Sequence, residues 1–163
     1  MDNPTDDTAG AARERYADLQ YVFVQFLTEH LIDCRAEFGG DLDAVLLLAL
    51  IGQNHIKAYM AGETDPSAPG SPFAITASRL ADVSQMSRET VRRKLAVMEK
   101  RGWVARNADS SWALAGRPEA TEARRALGDL DQRGMARAMR LHGDFGRILG
   151  RLPSVRKVPK MST

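Results

Sequence analysis

The 163-residue chain contains a single cysteine, Cys34, and only three histidines. One cysteine excludes an internal disulfide and a cysteine-based zinc cluster, and it is typical of a reducing cytoplasm. The histidines fall on three different predicted helices without a His-x₃-His spacing, so we expect no metal site and no other cofactor. Cys34 lies on an apolar helix face, which favours a buried, inert thiol over a redox sensor.

Long hydrophobic runs are also absent. The longest, residues 44–52, has nine residues, whereas a helix that crosses a bilayer needs about 20. The first seven residues are acidic and polar, which is the opposite of a secretory signal. Hydrophobic residues nevertheless make up 44% of the chain, which argues against disorder throughout. These features predict a soluble cytoplasmic protein with no membrane partner.

Sequence motifs of the common enzyme classes are missing as well. The chain has no P-loop, no dinucleotide-binding fingerprint, no nucleophile elbow and no paired catalytic motif. Isolated serine, aspartate and histidine residues occur in any chain of this length and do not indicate a catalytic site. We therefore expect a protein that is not an enzyme.

Charge is distributed unevenly along the chain, although the net charge is only +2. Residues 1–86 carry 5 basic and 13 acidic side chains, a net charge of −8, whereas residues 87–163 carry 18 basic and 8 acidic ones, a net charge of +10. Such an asymmetry indicates a polyanionic partner for the second half. Solvated basic helices would produce the same count, so charge alone does not decide between the two interpretations.

Hydrophobic periodicity predicts a mostly α-helical fold with a small β-hairpin. We expect a disordered tail over residues 1–9, a helical core and dimerisation region over 10–60, a loop over 61–72, a winged helix-turn-helix over 73–116, a C-terminal dimerisation helix over 117–152 and a flexible tail over 153–163. Within these segments a long helix covers residues 11–37. A second helix, residues 42–60, begins after a capping Asp41 and is apolar on nearly all sides, which predicts a buried central helix.

The last helix is predicted to begin at Arg117-Pro118 and to run to about residue 150, with its glycines permitting a break. Apolar residues recur every three or four positions in this helix and in helix 11–37. Such seams favour a homodimer, with both seams packing around helix 42–60 in a monomer as the alternative.

Residues 75–106 are the segment around which the chain is organised. Thr76 is predicted to cap a short helix, residues 84–86 to form a turn, and Ser87 to cap a second helix that ends at Arg101. Val91, Leu95 and Met98 share one face of that second helix, which predicts that this face is buried. Two alternating stretches, residues 103–106 and 111–114, predict a hairpin whose inward residues are Val104, Trp112 and Leu114.

The run Met86-Ser87-Arg88-Glu89-Thr90-Val91, followed by Arg93 and Leu95, resembles the recognition helix of the cyclic-AMP receptor (catabolite activator) family. The resemblance covers roughly residues 73–115 and implies a winged helix that reads the DNA major groove through Arg88, Glu89 and Arg93. The upstream segment is helical and lacks a glycine-rich phosphate cassette, so cyclic-nucleotide binding is not implied.

The layout as a whole resembles regulators of the multiple-antibiotic-resistance (MarR) type, in which terminal helices dimerise around a central winged helix. This resemblance implies a homodimer on a pseudo-palindromic operator. The Asp-x-Arg sequence of that family's wing is absent, and Asp109 lies near the hairpin tip. We therefore expect Arg106 to contact a phosphate and the wing not to insert into the minor groove.

The residue chemistry is consistent with DNA recognition. Arginine can donate two hydrogen bonds to guanine, and glutamate can accept one from cytosine. Double-stranded DNA is therefore the expected partner, with these contacting residues: Thr76, Ser87, Arg88, Glu89, Thr90, Arg92, Arg93, Lys94 and Arg106. Among them, Ser87, Arg92, Lys94 and Arg106 are the predicted phosphate contacts.

The main alternative is a winged helix that binds another protein and not DNA. Four of the seven residues from Arg88 to Lys94 are basic, which favours DNA, whereas Ala96 and the partly outward Val97 favour a protein partner. Trp103, Trp112, Tyr16 and Tyr59 could line a pocket for a small-molecule effector, but aromatic residues are more typical of a core. No motif supports an effector.

Overall fold

The computed structural model describes residue 13 and residues 15–150. It is mostly helical, as predicted, and contains two small antiparallel sheets, of which one includes the predicted hairpin. Both predicted tails, residues 1–9 and 153–163, lie outside the described residues. The helices are α1 (Tyr16–Glu37), α2 (Leu42–Met60), α3 (Ala77–Ser84), α4 (Arg88–Lys100), α5 (Glu122–Ala126) and α6 (Gly128–Leu149). The strands are β1 (Ile75–Thr76), β2 (Val104–Arg106), β3 (Ser111–Leu114), β4 (Gly116–Arg117) and β5 (Ala120–Thr121). None of the helices described is both long enough and apolar enough to span a membrane.

The chain divides into two compact units. We call Asp33–Asp131 the central unit, and Met1–Ile32 with Gln132–Thr163 the terminal unit. The central unit contains a three-stranded antiparallel sheet in the order β1-β3-β2, with Ile75 opposite Trp112 and Val104 opposite Leu114. A second sheet pairs β4 with β5.

The hydrophobic core lies in the central unit, where helices and the three-stranded sheet contribute side chains. Leu47 and Ile51 of α2 and Leu80 of α3 are fully buried, and Phe38 packs edge-on against Trp103 with ring centroids 5.4 Å apart. The predicted hairpin residues Val104 and Trp112 are also buried, and Leu114 packs partly buried against the core. Cys34 is buried as well, as predicted.

Helix α2 begins and ends where the sequence predicts, and Asp41 caps it by accepting a hydrogen bond from the Ala44 backbone N–H at 3.0 Å. The preceding turn needs two consecutive left-handed residues, and Gly39 and Gly40 adopt them with φ of 61° and 89°. Local signals therefore suffice to define the bounds of this helix.

The prediction that α2 is buried on nearly all sides is wrong. Its inner face packs in the core, but an outer stripe of large apolar side chains is 40–81% exposed. The exposed residues on α2 are Leu42, Leu46, Ile56, Tyr59 and Met60. Apolar residues around a whole helix are buried only if other elements pack against every side of it. In this structure the core of the central unit packs against one side of α2.

The prediction that the last helix begins at Arg117-Pro118 is also wrong. Pro118 lies in the turn between β4 and β5, where its carbonyl accepts a hydrogen bond from His55 Nε2 at 2.9 Å. Gly116, with φ of 102°, permits this tight hairpin, because a Cβ there would lie 3.0 Å from the Ala120 carbonyl oxygen. Thr121 then caps α5, and a break of the kind that the glycines permit falls at Leu127, before α6.

Helices α1 and α6 run antiparallel within the terminal unit. Arg15 Nη1 donates a hydrogen bond to the Ile148 carbonyl at 2.6 Å, and the Glu29 carboxylate pairs with Arg137 at 3.3 Å and with Arg140. No residue of this unit is buried among those that the structure describes. The large apolar side chains that are at least 40% exposed here are Tyr16, Tyr21, Phe23, Val24, Leu27, Leu31, Ile32, Met135 and Met139.

Replacing Leu95 by alanine should lower the free energy of unfolding by about 2–5 kcal/mol, because a fully buried side chain leaves a cavity. Val97→Ala on the same helix should cost less than about 1 kcal/mol, since Val97 is 49% exposed. Urea unfolding followed by circular dichroism measures both changes. Similar losses for the two variants would contradict the orientation of α4.

Candidate nucleic-acid interface

Helix α4 is held by one apolar face. Val91, Leu95 and Met98 are at most 1% exposed and pack in the core of the central unit. Successive residues in a helix are about 100° apart, so burial of this stripe determines which side chains point outward. On the outer side Glu89 and Arg93 are exposed, as predicted from their positions relative to Val91.

The turn before α4 sets its starting point. Gln85 adopts the left-handed conformation with φ of 58°, which ends α3 and reverses the chain. Ser87 caps α4, because its Oγ accepts a hydrogen bond from the Thr90 backbone N–H at 3.1 Å and donates one to Thr90 Oγ1 at 2.9 Å. Both hydroxyls are therefore engaged in the cap, so a phosphate contact by Ser87 would have to share that hydroxyl.

The exposed surface of α4 is basic. Arg88, Arg92 and Arg93 are exposed, and Glu89 in the first turn is the acidic residue among them. Arginine presents a rigid fork of donors that suits base edges and phosphates, whereas a carboxylate can only accept. This surface can therefore form the donor and acceptor pattern that the sequence predicts for a DNA-contacting face.

Lys94 is not part of this exposed set, and the prediction that it flanks the exposed face is wrong. Its side chain is only 12% exposed, and Nζ lies 2.6 Å from Asp41 Oδ1 and 3.6 Å from Asp43 Oδ2. A phosphate contact would require the ammonium to leave two carboxylates. Lys94 is therefore a packed, paired side chain and not a free cation for the DNA backbone.

Thr76 lies where β1 joins α3. Its Oγ1 accepts a hydrogen bond from the Arg79 backbone N–H at 3.1 Å, which caps α3 as predicted. On the sheet it lies opposite Ser111 of β3, while its side chain remains exposed. The residue thus connects the sheet to the first of the two helices.

The hairpin between β2 and β3 carries Arg106 on its first strand. The side chain is exposed, and Nη2 donates a hydrogen bond to Ser110 Oγ at 3.0 Å, across the hairpin turn. This contact holds the guanidinium along the hairpin. Its remaining donors can still meet an acceptor such as a phosphate oxygen.

Asp109 at the hairpin tip is engaged within the protein. Its Oδ1 accepts hydrogen bonds from Ser111 Oγ at 2.5 Å and from the Ser111 backbone N–H at 3.0 Å, and its Oδ2 accepts one from the Gly70 backbone N–H at 3.0 Å. These bonds, with the Ser111 hydroxyl first, lower the pKa of Asp109 to about 2. The acidic tip is therefore structural.

Asn107 adds a second attachment between the hairpin and the loop over residues 61–74. Its Nδ2 donates hydrogen bonds to the Pro66 carbonyl at 3.0 Å and to Ser111 Oγ at 3.2 Å. Together with the bond from Gly70 to Asp109, this contact ties the tip to the loop. A tip held in this way has little freedom to move relative to that loop.

The sequence does not predict the contact of Asn107 with the loop before β1 or that of Asp41 with α4. It predicts Asp41 only as a helix cap, whereas the pairing of Asp41 with Lys94 joins residues 53 positions apart. The Asp-x-Ser spacing of Asp109 and Ser111 is a local signal that would have revealed the carboxylate's turn-forming role, because aspartate often bonds the backbone two residues on.

Within residues 15–150, no three His, Cys, Asp or Glu side chains cluster in a way that could hold a metal ion. Comparisons of the chain with protein-family models, with curated proteins and with solved structures find no match.

Replacing Asp109 by asparagine should destabilise the protein near neutral pH, because the charged carboxylate accepts three hydrogen bonds. Its folded-state pKa of about 2 is lower than the ordinary value of 3.8, so its contribution is present above pH 3.8 and is lost as the pH falls toward 2. The stability difference between wild type and variant should therefore shrink over that interval in urea unfolding. Asp82→Asn, which removes an exposed carboxylate of α3, is the control. A difference that does not depend on pH would contradict the assignment.

Proposed function

We propose that the chain is a homodimeric transcriptional regulator that binds double-stranded DNA in a sequence-specific manner through a winged helix-turn-helix. The observation that carries this proposal is the two-sided character of α4. One side is buried through Val91, Leu95 and Met98, and the other side exposes Arg88, Glu89, Arg92 and Arg93. In this proposal α4 is the recognition helix and lies in the major groove.

Base recognition is assigned to Arg88, Glu89 and Arg93. Arg88 and Glu89 are in the first turn of α4, and the N-terminal residues of a recognition helix are the ones that contact base edges. Each arginine can bond guanine O6 and N7, and Glu89 can accept from cytosine N4. This chemistry favours sites that contain G·C pairs at the positions facing α4.

Contacts to the DNA backbone are assigned to Arg92 and Arg106, with Thr76, Ser87 and Thr90 near the helix ends in support. Phosphate contacts position the protein, whereas base contacts discriminate among sequences. The hairpin tip is tied down by Asp109 and Asn107. That attachment supports a wing that rests on a phosphate through Arg106 and does not enter the minor groove.

Dimerisation is supported by the character of the terminal unit. The segments of α1 and α6 that belong to the terminal unit contain no buried residue among those described, so they gain little hydrophobic stabilisation on their own. Tyr16, Phe23, Leu27 and Leu31 recur on one face of α1 at spacings of seven and four, and they are 40–64% exposed. A second copy would cover them, and its two-fold symmetry would require two half-sites about 34 Å apart in a pseudo-palindromic operator.

A winged helix that binds another protein is the second candidate function. Val97 on α4 is 49% exposed and Val83 on α3 is 46% exposed. Exposed apolar side chains on these two helices would suit a protein surface better than a phosphate backbone. Selection of bound sequences from a random duplex pool decides between the candidates, because a protein-binding module would enrich no motif and show no salt-sensitive binding.

Two substitutions on α4 should separate phosphate contact from base recognition. Arg92→Met should weaken binding to all duplexes and lower the slope of log affinity against log salt by about one unit, because one phosphate contact is lost. Arg93→Met should lose about 1–3 kcal/mol of discrimination at one base position. Fluorescence anisotropy against a selected site and its single-base variants measures both quantities.

Glu99→Gln, on the exposed surface near the end of α4, is the control for these measurements and should leave the base preference unchanged. An Arg93→Met variant that keeps the full preference at every position would contradict the assignment of this residue as a base reader.

Leu27→Glu should disrupt the dimer, because it places a carboxylate on the apolar face of α1. The dissociation constant should rise about 30-fold or more, which corresponds to about 2 kcal/mol. Sedimentation equilibrium of wild type and variant at micromolar concentration measures the change. Ser78→Glu, which adds the same charge at an exposed position of α3, should have no effect. A wild-type protein that is monomeric under these conditions would contradict the proposed dimer.

A further inference from the structure

We propose that Asp41 and Lys94 form a positioning pair that sets the rotation of α4, and with it the sequence specificity of DNA binding. The inference rests on the proposed function, since it assigns an indirect role in DNA recognition to one residue of the recognition helix and to the carboxylate that pairs with it. Neither residue touches DNA in this proposal. From the sequence, Lys94 is a predicted phosphate contact and Asp41 is predicted only to cap α2.

The pair has the geometry of a fixed contact. Lys94 Nζ lies 2.6 Å from Asp41 Oδ1, and the lysine side chain is 12% exposed while that of Asp41 is 41% exposed. Asp43, in the first turn of α2, provides a second carboxylate 3.6 Å from the ammonium. A lysine with so little exposure needs a charged partner, because burial of an unpaired ammonium is costly.

Asp41 holds two elements with one oxygen atom. Its Oδ1 accepts from the Ala44 backbone N–H at 3.0 Å, which caps α2, and from Lys94. Desolvation raises the pKa of Asp41, but the hydrogen bonds from Lys94 and Ala44 outweigh it and hold the pKa below its usual range. An ammonium at the positive end of a helix dipole would otherwise be unfavourable, so the carboxylate between them is required.

The pair adds a directional restraint to the apolar face. Contacts of Val91, Leu95 and Met98 determine which face of α4 is buried, but they are not directional, whereas an ion pair between two defined atoms fixes the rotation of the helix more narrowly. A rotation of about 20° moves a side-chain tip roughly 6 Å from the helix axis by about 2 Å. A shift of that size breaks a bidentate hydrogen bond, whose length varies by only a few tenths of an ångström. Lys94 lies at the edge of the buried face, where its short ion pair resists this rotation.

The test uses the full-length chain and compares its affinity for a selected duplex with its affinity for an unrelated duplex. Asp41→Asn keeps a good helix cap but removes the charge. Positioning predicts that the ratio of specific to nonspecific affinity falls about tenfold. If Asp41 acted only by repelling DNA, the same variant would bind all duplexes more tightly and keep its ratio, which would overturn the proposal.

Lys94→Met is the second variant, and its salt dependence separates the two roles of the lysine. If Lys94 positions α4, the ratio of specific to nonspecific affinity should fall by a similar factor, and the slope of log affinity against log salt should not change. Lys94→Arg should recover part of that ratio, because it keeps the positive charge. A phosphate contact predicts uniform weakening and a slope lower by about 0.9, as expected for Arg92→Met, and that result would overturn the proposal. Asp82→Asn, which removes an unrelated exposed carboxylate, is the control.

A double-mutant cycle in urea unfolding tests the pair without DNA. The unfolding constants of Asp41→Asn, Lys94→Met and the double variant should show coupling of about tenfold, because each single change removes the same contact. Additive effects would overturn the pair itself. A wild-type chain that binds no duplex would overturn the proposed function and the specificity claim, whereas the coupling would still report whether the pair joins α2 to α4.

Discussion

Burial of Val91, Leu95 and Met98 is the constraint on which the candidate site depends. Three side chains on one helical stripe pack into the core of the central unit, and the 100° spacing of helical residues then decides what the rest of α4 presents. Arg92 and Arg93 are exposed because Val91 is buried. The basic surface is thus a consequence of packing, and it needs no specific contact from the arginines themselves.

Polar contacts add the directional control that apolar packing lacks. Two carboxylates do this: Asp41 pairs with Lys94 of α4, and Asp109 ties the hairpin tip to the loop that contains Gly70. The pKa of each carboxyl is lowered by the hydrogen bonds that it accepts. A count of charges along the sequence does not distinguish these two carboxylates from solvent-exposed anions. In the fold each of them accepts hydrogen bonds from defined donors.

The two units differ in how they are stabilised. The central unit has a continuous core that includes both aromatic side chains of the hairpin region, Trp103 and Trp112. The terminal unit is held by polar contacts such as those of Glu29 with Arg137 and Arg140, and its described residues include none that is buried. Apolar surface left exposed on α1 is the physical reason to place a second copy there in the proposed dimer.

Much of the local structure is determined by the sequence alone. The bounds of α2, the caps at Asp41, Thr76 and Ser87, and the hairpin follow from hydrogen bonds that span three or four residues and from periodicity within one element. These signals are local, so they can be read along the chain. For the last helix the glycines permit a break without indicating its position, and the structure has it before Gly128.

Tertiary structure alone decided the rest. The pairing of Lys94 with Asp41 joins residues 53 positions apart, and the bond from His55 to Pro118 that holds the β4–β5 turn joins residues 63 apart. Periodicity also could not reveal that one side of α2 stays exposed, because an apolar side chain is buried only if another element covers it. The core brings together residues that are distant in sequence. Its shape therefore determines which charged side chains are exposed and which are paired within the protein.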